Sequence, residues 1–174
     1  VYNEKCFYER VCEALVAHVD EIVIVAHPKI RTRFIRSHRV IEDDPVFQGK
    51  GPLAGLYSVM KTVRSDWYCM MACDMPLVNE KVVKHLIKAA ESDAYDAVVP
   101  KIEGHLQPLA AMYHHRTFAT LESLLNDDER KVKRFLDHIK VRYLHENDFK
   151  MGSFYFQNIN TKQEYARLKG ETGQ

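Results

Sequence analysis

The chain has 174 residues, 46% of them hydrophobic and 28% charged, with a formal net charge of +1. That length suits one domain with a sizeable core, and so balanced a charge gives no global field directed at nucleic acid or a membrane surface. No apolar run approaches the roughly 20 residues that cross a bilayer, and no secretory signal pattern is present, so a cytoplasmic protein is expected. The first residue is Val1 rather than Met, and the natural start is expected upstream of it.

In chain order, Phe7, Val11, Ala14 and Leu15 fall at helical spacing and predict a helix over residues 4–18, with Asn3 as its N-cap. Ile22 to Val25 is a short, continuous apolar run of the kind found in buried parallel strands. His27-Pro28 starts a short helix, basic at Lys29, Arg31, Arg33, Arg36, His38 and Arg39, which reads first as a solvated face. Val40-Ile41 is the next strand, followed by a helix over Leu53–Val63 and a strand over Trp67–Ala72. Asn79 caps a helix that carries Val82, Val83, Leu86, Ile87 and Ala90 on one face. Strands follow at Tyr95–Pro100 and Pro108–Tyr113, helices at Thr117–Leu125 and Lys131–His138, and an alternating strand at Ile139–Leu144. Phe154–Ile159 reads as a short strand or extended segment, and a terminal helix runs from Asn160-Thr161 through Leu168, ended by Gly170.

No repeat, low-complexity tract or linker interrupts residues 1–174, which are expected to form a single domain. The strand–helix alternation predicts a three-layer α/β domain with a mostly parallel sheet. Cys6, Cys12, Cys69 and Cys73 match no zinc or redox spacing and are expected to be buried, reduced thiols, with Cys69 and Cys73 on one strand face. His105, His114 and His115 show no ligand spacing and read as surface or partly buried residues.

Three stretches carry chemistry. The first is Ile41 to Met60, in which a strand ends in Glu42, Asp43 and Asp44, a loop follows with Pro45, Gly49 and Gly51, and Pro52 opens a helix. In open α/β sheets ligands bind at the carboxyl ends of strands. Glycines admit a close backbone approach, and a helix start offers free N–H groups to an anion. Asp43 is the candidate contact here, with Glu42 and Asp44 as solvated neighbours. The second is Asp74, at the end of the Trp67–Ala72 strand, where Pro76 turns the chain away. Asp43 and Asp74 end neighbouring predicted strands, and strand-end carboxylates suit Mg²⁺, which takes oxygen ligands, phosphates and waters. A structural cap of the following turn is the competing reading of Asp74. The third is Phe156 to Thr161, where Asn158 and Asn160 face the same way if extended. Helix capping explains one of the two amides, and the pair could also reach a substrate or hold the Asp74 loop.

These motifs carry a resemblance. The chain is similar to the molybdenum cofactor guanylyltransferases in Ile41-Glu42-Asp43, in Gly51-Pro52-Leu53-Ala54-Gly55 and in Cys73-Asp74-Met75-Pro76. The similarity continues through Gln107-Pro108-Leu109-Ala110-Ala111-Met112-Tyr113, Arg130-Lys131-Val132 and Asn158-Ile159-Asn160-Thr161, in family order across nearly the whole chain. The resemblance implies a Rossmann-like nucleotidyltransferase fold and an enzyme that transfers GMP from GTP to the terminal phosphate of molybdopterin, with Mg²⁺ as cofactor and pyrophosphate as leaving group. It implies Asp74 as the metal-binding and catalytic carboxylate. It also implies Asp43, Gly51, Pro52, Leu53, Asp74, Asn158 and Asn160 as substrate contacts, and other proteins of molybdenum cofactor biosynthesis as possible partners. The family opens with a strand and an L-A-G-G-x-S-x-R-x-G-x-x-K loop that grips the triphosphate. No such segment lies in these residues, and it is expected upstream of Val1. Two alternatives remain open: a cytidylyltransferase acting on the same pterin, and a non-catalytic nucleotide-binding or partner-recognition domain.

Overall fold

In the computed structural model, residues 5–34, 38–150 and 152–171 are described. Helix α1 (Phe7–Leu15) turns Val11, Cys12, Ala14 and Leu15 inward. The predicted Asn3 cap lies outside the described residues; Cys6 holds the N-cap position, and its N–H donates to Glu9 at 2.6 Å. Strand β1 (Val23–Val25) leads through a 3-10 turn at Pro28–Arg33 to β2 (Arg39–Ile41), and the two strands pair in parallel. His27 caps that turn by accepting the Lys29 N–H at 3.2 Å.

Helix α2 (Pro52–Thr62), strand β3 (Trp67–Met71), helix α3 (Glu80–Ala90) and strand β4 (Ala97–Ile102) continue the alternation. Asn79 caps α3 as its sequence position predicts, accepting from the Lys81 and Val82 N–H groups. The chain then departs from the alternation. Strand β5 (His105–Leu106) folds straight back on β4, through Glu103 and Gly104, which both have positive φ. Strand β6 (Ala110–His114) returns between β3 and β4, antiparallel to both. Helices α4 (Phe118–Asn126) and α5 (Val132–Asp137), strand β7 (Val141–Leu144), and helices α6 (Glu146–Phe149) and α7 (Lys162–Glu171) complete the chain.

The sheet is therefore mixed and not mostly parallel. Among the described residues, β1–β2 and β4–β7 are parallel pairs, whereas β3–β6, β4–β6 and β4–β5 are antiparallel. The reason is connection length: parallel neighbours need a crossover of roughly a dozen or more residues, and the link from β4 to β6 is a hairpin. Strands β3, β4 and β7 still run in one direction, because each is reached through a helix. Two further expectations need correction. Phe154–Ile159, read as a short strand or extended segment, begins in the 3-10 turn Ser153–Phe156 and turns extended at Gln157. Gly170 lies inside α7 and does not end it.

Helices cover both faces, so the three layers are as expected. Alternating strand residues feed two cores. Val98, Ile102, Ala110, Met112 and Leu144 pack with α1, α3 and α6. Ala97, Val99, Ala111, Tyr113 and Tyr68 pack with α2, α4 and α5. Val82, Val83 and Leu86 of α3 are fully buried, and each such side chain stabilises the fold by about 1.5–3 kcal/mol relative to exposure. Of the thiols, Cys12 is buried and Cys69 half-buried, while Cys6 and Cys73 are exposed, which corrects the expectation that all four are buried. Cys73 also lies in the turn beyond β3, not on the strand face with Cys69. No helix of the described residues is long and apolar enough to cross a membrane.

Candidate active site

The loop from β2 to α2 is built around two adjacent carboxylates. Asp43 accepts the Gly49 N–H at 3.2 Å. Gly55 faces it from α2: a β-carbon there would lie 3.9 Å from Asp43 Oδ1 and 3.7 Å from Val25 Cγ1. Gly49 and Gly51 have φ of +74° and +80°, a left-handed backbone that glycine adopts without strain. Gly51 occupies the N-cap position of α2 and has no side chain to fill it, and Pro52 follows at the first helical position. Pro52 has no N–H and the Ala54 N–H donates to the Gly51 carbonyl at 3.0 Å, so the Leu53 N–H is the donor this helix start leaves for another acceptor among the described residues. Gly51 and Pro52 are exposed. Leu53 is 1% exposed and packs in the core, so its side chain is a core residue rather than a lining one.

Asp44 is not a solvated neighbour. Its backbone N–H donates to Ser58 Oγ at 2.7 Å, and its carboxylate accepts from the Val46 N–H at 3.0 Å and the Lys61 ammonium at 2.8 Å. Ser58 is buried and donates to the Ala54 carbonyl at 2.7 Å. The Lys61 hydrogen bond holds the Asp44 carboxyl below the usual carboxylate range. Glu42 makes a looser pair with Arg31, at 3.4 Å.

The turn after β3 is fixed from several sides. The Ala72 N–H donates to the Leu109 carbonyl at 2.7 Å, extending the β3–β6 ladder, and the Pro76 carbonyl accepts from Arg10 Nε at 3.0 Å. Met75 and Val78 are buried beside α3. Between these anchors, Asp74 Oδ1 is buried and has no hydrogen-bond partner among the described residues. A buried acceptor left unsatisfied costs about 1–3 kcal/mol, and more when it is charged. The capping reading of Asp74 predicts the opposite, a satisfied oxygen. Cys73 is exposed as a residue, but partial burial of its thiol, and then the Asp74 carboxylate beside it, push that thiol up, so this cysteine is no activated nucleophile.

The Asn158–Thr161 stretch meets this turn. The Ile159 N–H donates to the Asp74 carbonyl at 2.8 Å, so the backbone holds the Asp74 loop while Asn158 and Asn160 flank the contact. Capping of α7 falls to Thr161 and Glu164. Glu164 accepts the Asn160 and Thr161 N–H groups at 2.8 Å each, and Thr161 Oγ1 accepts the Glu164 N–H at 3.1 Å. Both asparagine side chains are exposed and take no hydrogen bond among the described residues.

The Ile159 backbone therefore brings the segment that carries Asn158 and Asn160 to the Asp74 turn, while Asp43, Gly51, Pro52 and Leu53 share the separate loop and helix start between β2 and α2. Strands β2 and β3 are not neighbours among the described pairings, since β2 pairs with β1 and β3 with β6. Sequence reasoning overlooked two features. One is an open depression of about 360 Å³ between the β4–β5 hairpin and α5, lined by Gly104, His105, Leu106, Pro108, Lys133 and Leu136. The Glu103-Gly104 pair was its available signal. The other is Lys50, whose ammonium reaches α4. A lysine between two glycines gives no hint of its partner. His105 and His115 are exposed and His114 is half-buried, as their sequence context suggests.

An α/β domain with an unsatisfied carboxylate at a strand exit and an open helix start beyond another is the architecture of a nucleotide-handling fold. Residues 1–145 match the family described as the MobA-like NTP transferase domain, and the chain belongs to that family. It is 37% identical over 165 residues to a probable molybdenum cofactor guanylyltransferase of Bacillus anthracis, covering 94% of this chain and 82% of the relative. A relative of the same name from Geobacillus sp. is 36% identical over 166 residues, covering 94% and 85%. The crystal structure of molybdopterin-guanine dinucleotide biosynthesis protein A from Archaeoglobus fulgidus superposes with a TM-score of 0.78 at 26% identity, covering 95% of this chain and 84% of that one. The 4-diphosphocytidyl-2C-methyl-D-erythritolsynthase of Anaerococcus prevotii, with a TM-score of 0.69, 14% identity and coverage of 97% and 88%, shares the fold alone.

Proposed function

We propose that this protein is a guanylyltransferase of molybdenum cofactor biosynthesis, transferring GMP from GTP to the terminal phosphate of molybdopterin. The observation that carries this reading is the 37% identity, over 94% of the chain, to a relative named for that activity. The alternative of a cytidylyltransferase acting on the same pterin has weaker support, because the relatives at 36–37% identity are named for guanylyl transfer. The orphaned carboxylate oxygen of Asp74 argues against a domain that only recognises a partner.

In the reaction, an oxygen of the pterin phosphate attacks the α-phosphorus of GTP. A new P–O bond forms, the bond to the β-phosphate oxygen breaks, and pyrophosphate leaves with that electron pair. The nucleophile is a phosphate already ionised near neutral pH, so no general base is required. The work of the protein is positioning and electrostatic stabilisation. Asp43 and the start of α2, at Gly51, Pro52 and the Leu53 backbone, line the nucleotide side. Asn158 and Asn160 offer free amides beside Asp74. The exposed Lys131 and Lys133, the latter at the 360 Å³ depression, offer positive charge to the anionic acceptor.

The donor set at Asp74 fits a hard cation, because a buried, unpartnered carboxylate oxygen is the ligand Mg²⁺ prefers. Among the described residues no cluster of three or more histidine, cysteine or acidic side chains is assembled, so Asp74 would be its principal protein ligand. When bound, Mg²⁺ would neutralise charge on the phosphates. A cytoplasmic location belongs to the same reading.

The test is titration of the natural protein with GTP and CTP in the presence of Mg²⁺, followed by a transfer assay. GTP is expected to bind at least about tenfold more tightly than CTP. Equal affinity for the two nucleotides sinks the guanylyl assignment, and Mg²⁺-dependent transfer that survives Asp74→Ala sinks the role of that carboxylate.

A further inference from the structure

We infer that Lys50 is a positioning residue for the nucleotide side of the site: by clamping the carboxyl end of α4, it fixes the Gly49–Gly51 loop that supports Asp43 and opens α2. This rests on the guanylyl-transfer reading above.

Lys50 sits between two glycines of positive φ. Such a backbone is intrinsically mobile, and ordering it costs more entropy than ordering other residues. The loop's own contacts are few: the Gly49 N–H bonds Asp43, and the Lys50 N–H bonds the Phe47 carbonyl at 3.0 Å. The Gly51 carbonyl accepts the Ala54 N–H at 3.0 Å, and the Lys50 side chain adds the anchor that ties the loop to α4. Its ammonium donates to the Leu125 carbonyl at 3.1 Å and pairs with Asp128 at 2.9 Å, and it stands 5.6 Å from the Phe47 ring centroid. The Lys50 side chain is 23% exposed but that of Asp128 is 59% exposed, so the ion pair by itself contributes little, and the hydrogen bond to the Leu125 carbonyl is the firmer half of the clamp. A cation at a helix carboxyl end also complements the last carbonyls and the helix dipole.

The far end of the clamp is itself held. Asp128 has φ of +59° and accepts from Arg130 Nη2 at 3.0 and 3.1 Å through its two oxygens. Hydrogen bonds from Lys50 and then Arg130 hold its carboxyl below the usual range. The chain of contacts Gly49–Lys50–Asp128–Arg130 thus joins the nucleotide loop to the basic segment that precedes α5. Loosening it should weaken GTP binding, because the Gly49 N–H and Asp43 then sample other arrangements, while the reacting groups at Asp74 stay in place.

The experiment is steady-state kinetics of the natural protein with Lys50→Met, Lys50→Arg, Asp128→Asn and the Lys50→Met/Asp128→Asn double variant; asparagine is chosen because it tolerates left-handed φ. Lys50→Met is expected to raise KM for GTP about fivefold and to leave kcat within about twofold. Asp128→Asn should raise KM less, and should add nothing once Lys50 is methionine, since both changes break one interaction. Lys50→Arg should recover most of the loss. Amide exchange at residues 47–51 of the unliganded Lys50→Met protein should accelerate. An unchanged KM, strictly additive effects, or a fall in kcat at constant KM overturns the inference. If the wild-type protein transfers no GMP, the functional reading fails, and exchange alone then decides the clamp: unchanged protection at 47–51 overturns it.

Discussion

Asp44 and Asp74 both follow the exit of a strand, and the fold treats them in opposite ways. Asp44 is enclosed by donors: its carboxylate takes the Val46 N–H and the Lys61 ammonium, and its own N–H goes to Ser58. Asp74 keeps a buried oxygen with no partner, in a turn tied down by its own backbone carbonyl. A satisfied carboxylate stabilises the native state. An unsatisfied buried one opposes folding until something binds it. The difference gives Asp44 structural work in its loop and leaves Asp74 an acceptor that the described residues do not use, although the sequence presents the two alike.

The largest effect expected from breaking this contrast is on catalysis. Asp74→Ala should lower GMP transfer by on the order of 10²–10³-fold, while the melting temperature stays level or rises, because an unpaired buried acceptor is removed. A large drop in melting temperature would make Asp74 structural and erase the contrast. Next comes Leu53→Ala in the nucleotide-side helix. Truncating this fully buried residue should cost about 2–5 kcal/mol in denaturant unfolding. A cost near zero would show that Leu53 faces a ligand space and not the core.

Asp44→Asn should be milder, with a small fall in melting temperature through weaker acceptance from the solvent-exposed Lys61 and from Val46. It carries a pH signature. The folded-state value of Asp44 lies below its unfolded value, so the folded state binds fewer protons in that interval. The stability from Asp44 is full above the ordinary aspartate range and is lost as pH falls through the lowered value. Melting temperatures between about pH 3 and 7 should therefore fall less steeply for Asp44→Asn than for wild type; identical acid limbs would contradict the assignment. The smallest effect is Gly55→Ala. The added β-carbon meets Val25 and Asp43 only at ordinary contact distances, and alanine favours the helix by up to about 1 kcal/mol. Stability should hold or rise slightly, and any loss should appear in nucleotide affinity, read by titration.

Local patterns were readable wherever neighbours in sequence settle the matter. Asn79 caps α3, Pro28 opens its 3-10 turn, and Val82, Val83 and Leu86 face inward, because capping and helical periodicity need only residues within one turn. Strand direction was misread where the general strand–helix alternation was carried over to Tyr95–Pro100 and Pro108–Tyr113, two predicted strands with no helix between them; Glu103-Gly104 signals a hairpin there, and the connection is too short to cross over. The α7 cap stays open in the sequence between two adequate candidates, Asn160 and Thr161; the position of Glu164 three residues after Thr161 favours the capping box that forms.

By itself, then, the sequence determined the order and type of most elements, the three-layer architecture and the family to which the chain belongs. Periodicity, capping and motif order are local or linear properties. Only the tertiary structure decided which acid is satisfied, that the Asn158–Thr161 backbone meets the Asp74 turn, that Leu53 is core, and that Lys50 reaches across to α4. Each of these depends on a partner far away along the chain: Asp74 with Ile159, Lys50 with Leu125 and Asp128, Asp44 with Ser58 and Lys61. Whether a buried polar atom finds such a partner is fixed by packing in three dimensions, and no local rule supplies it.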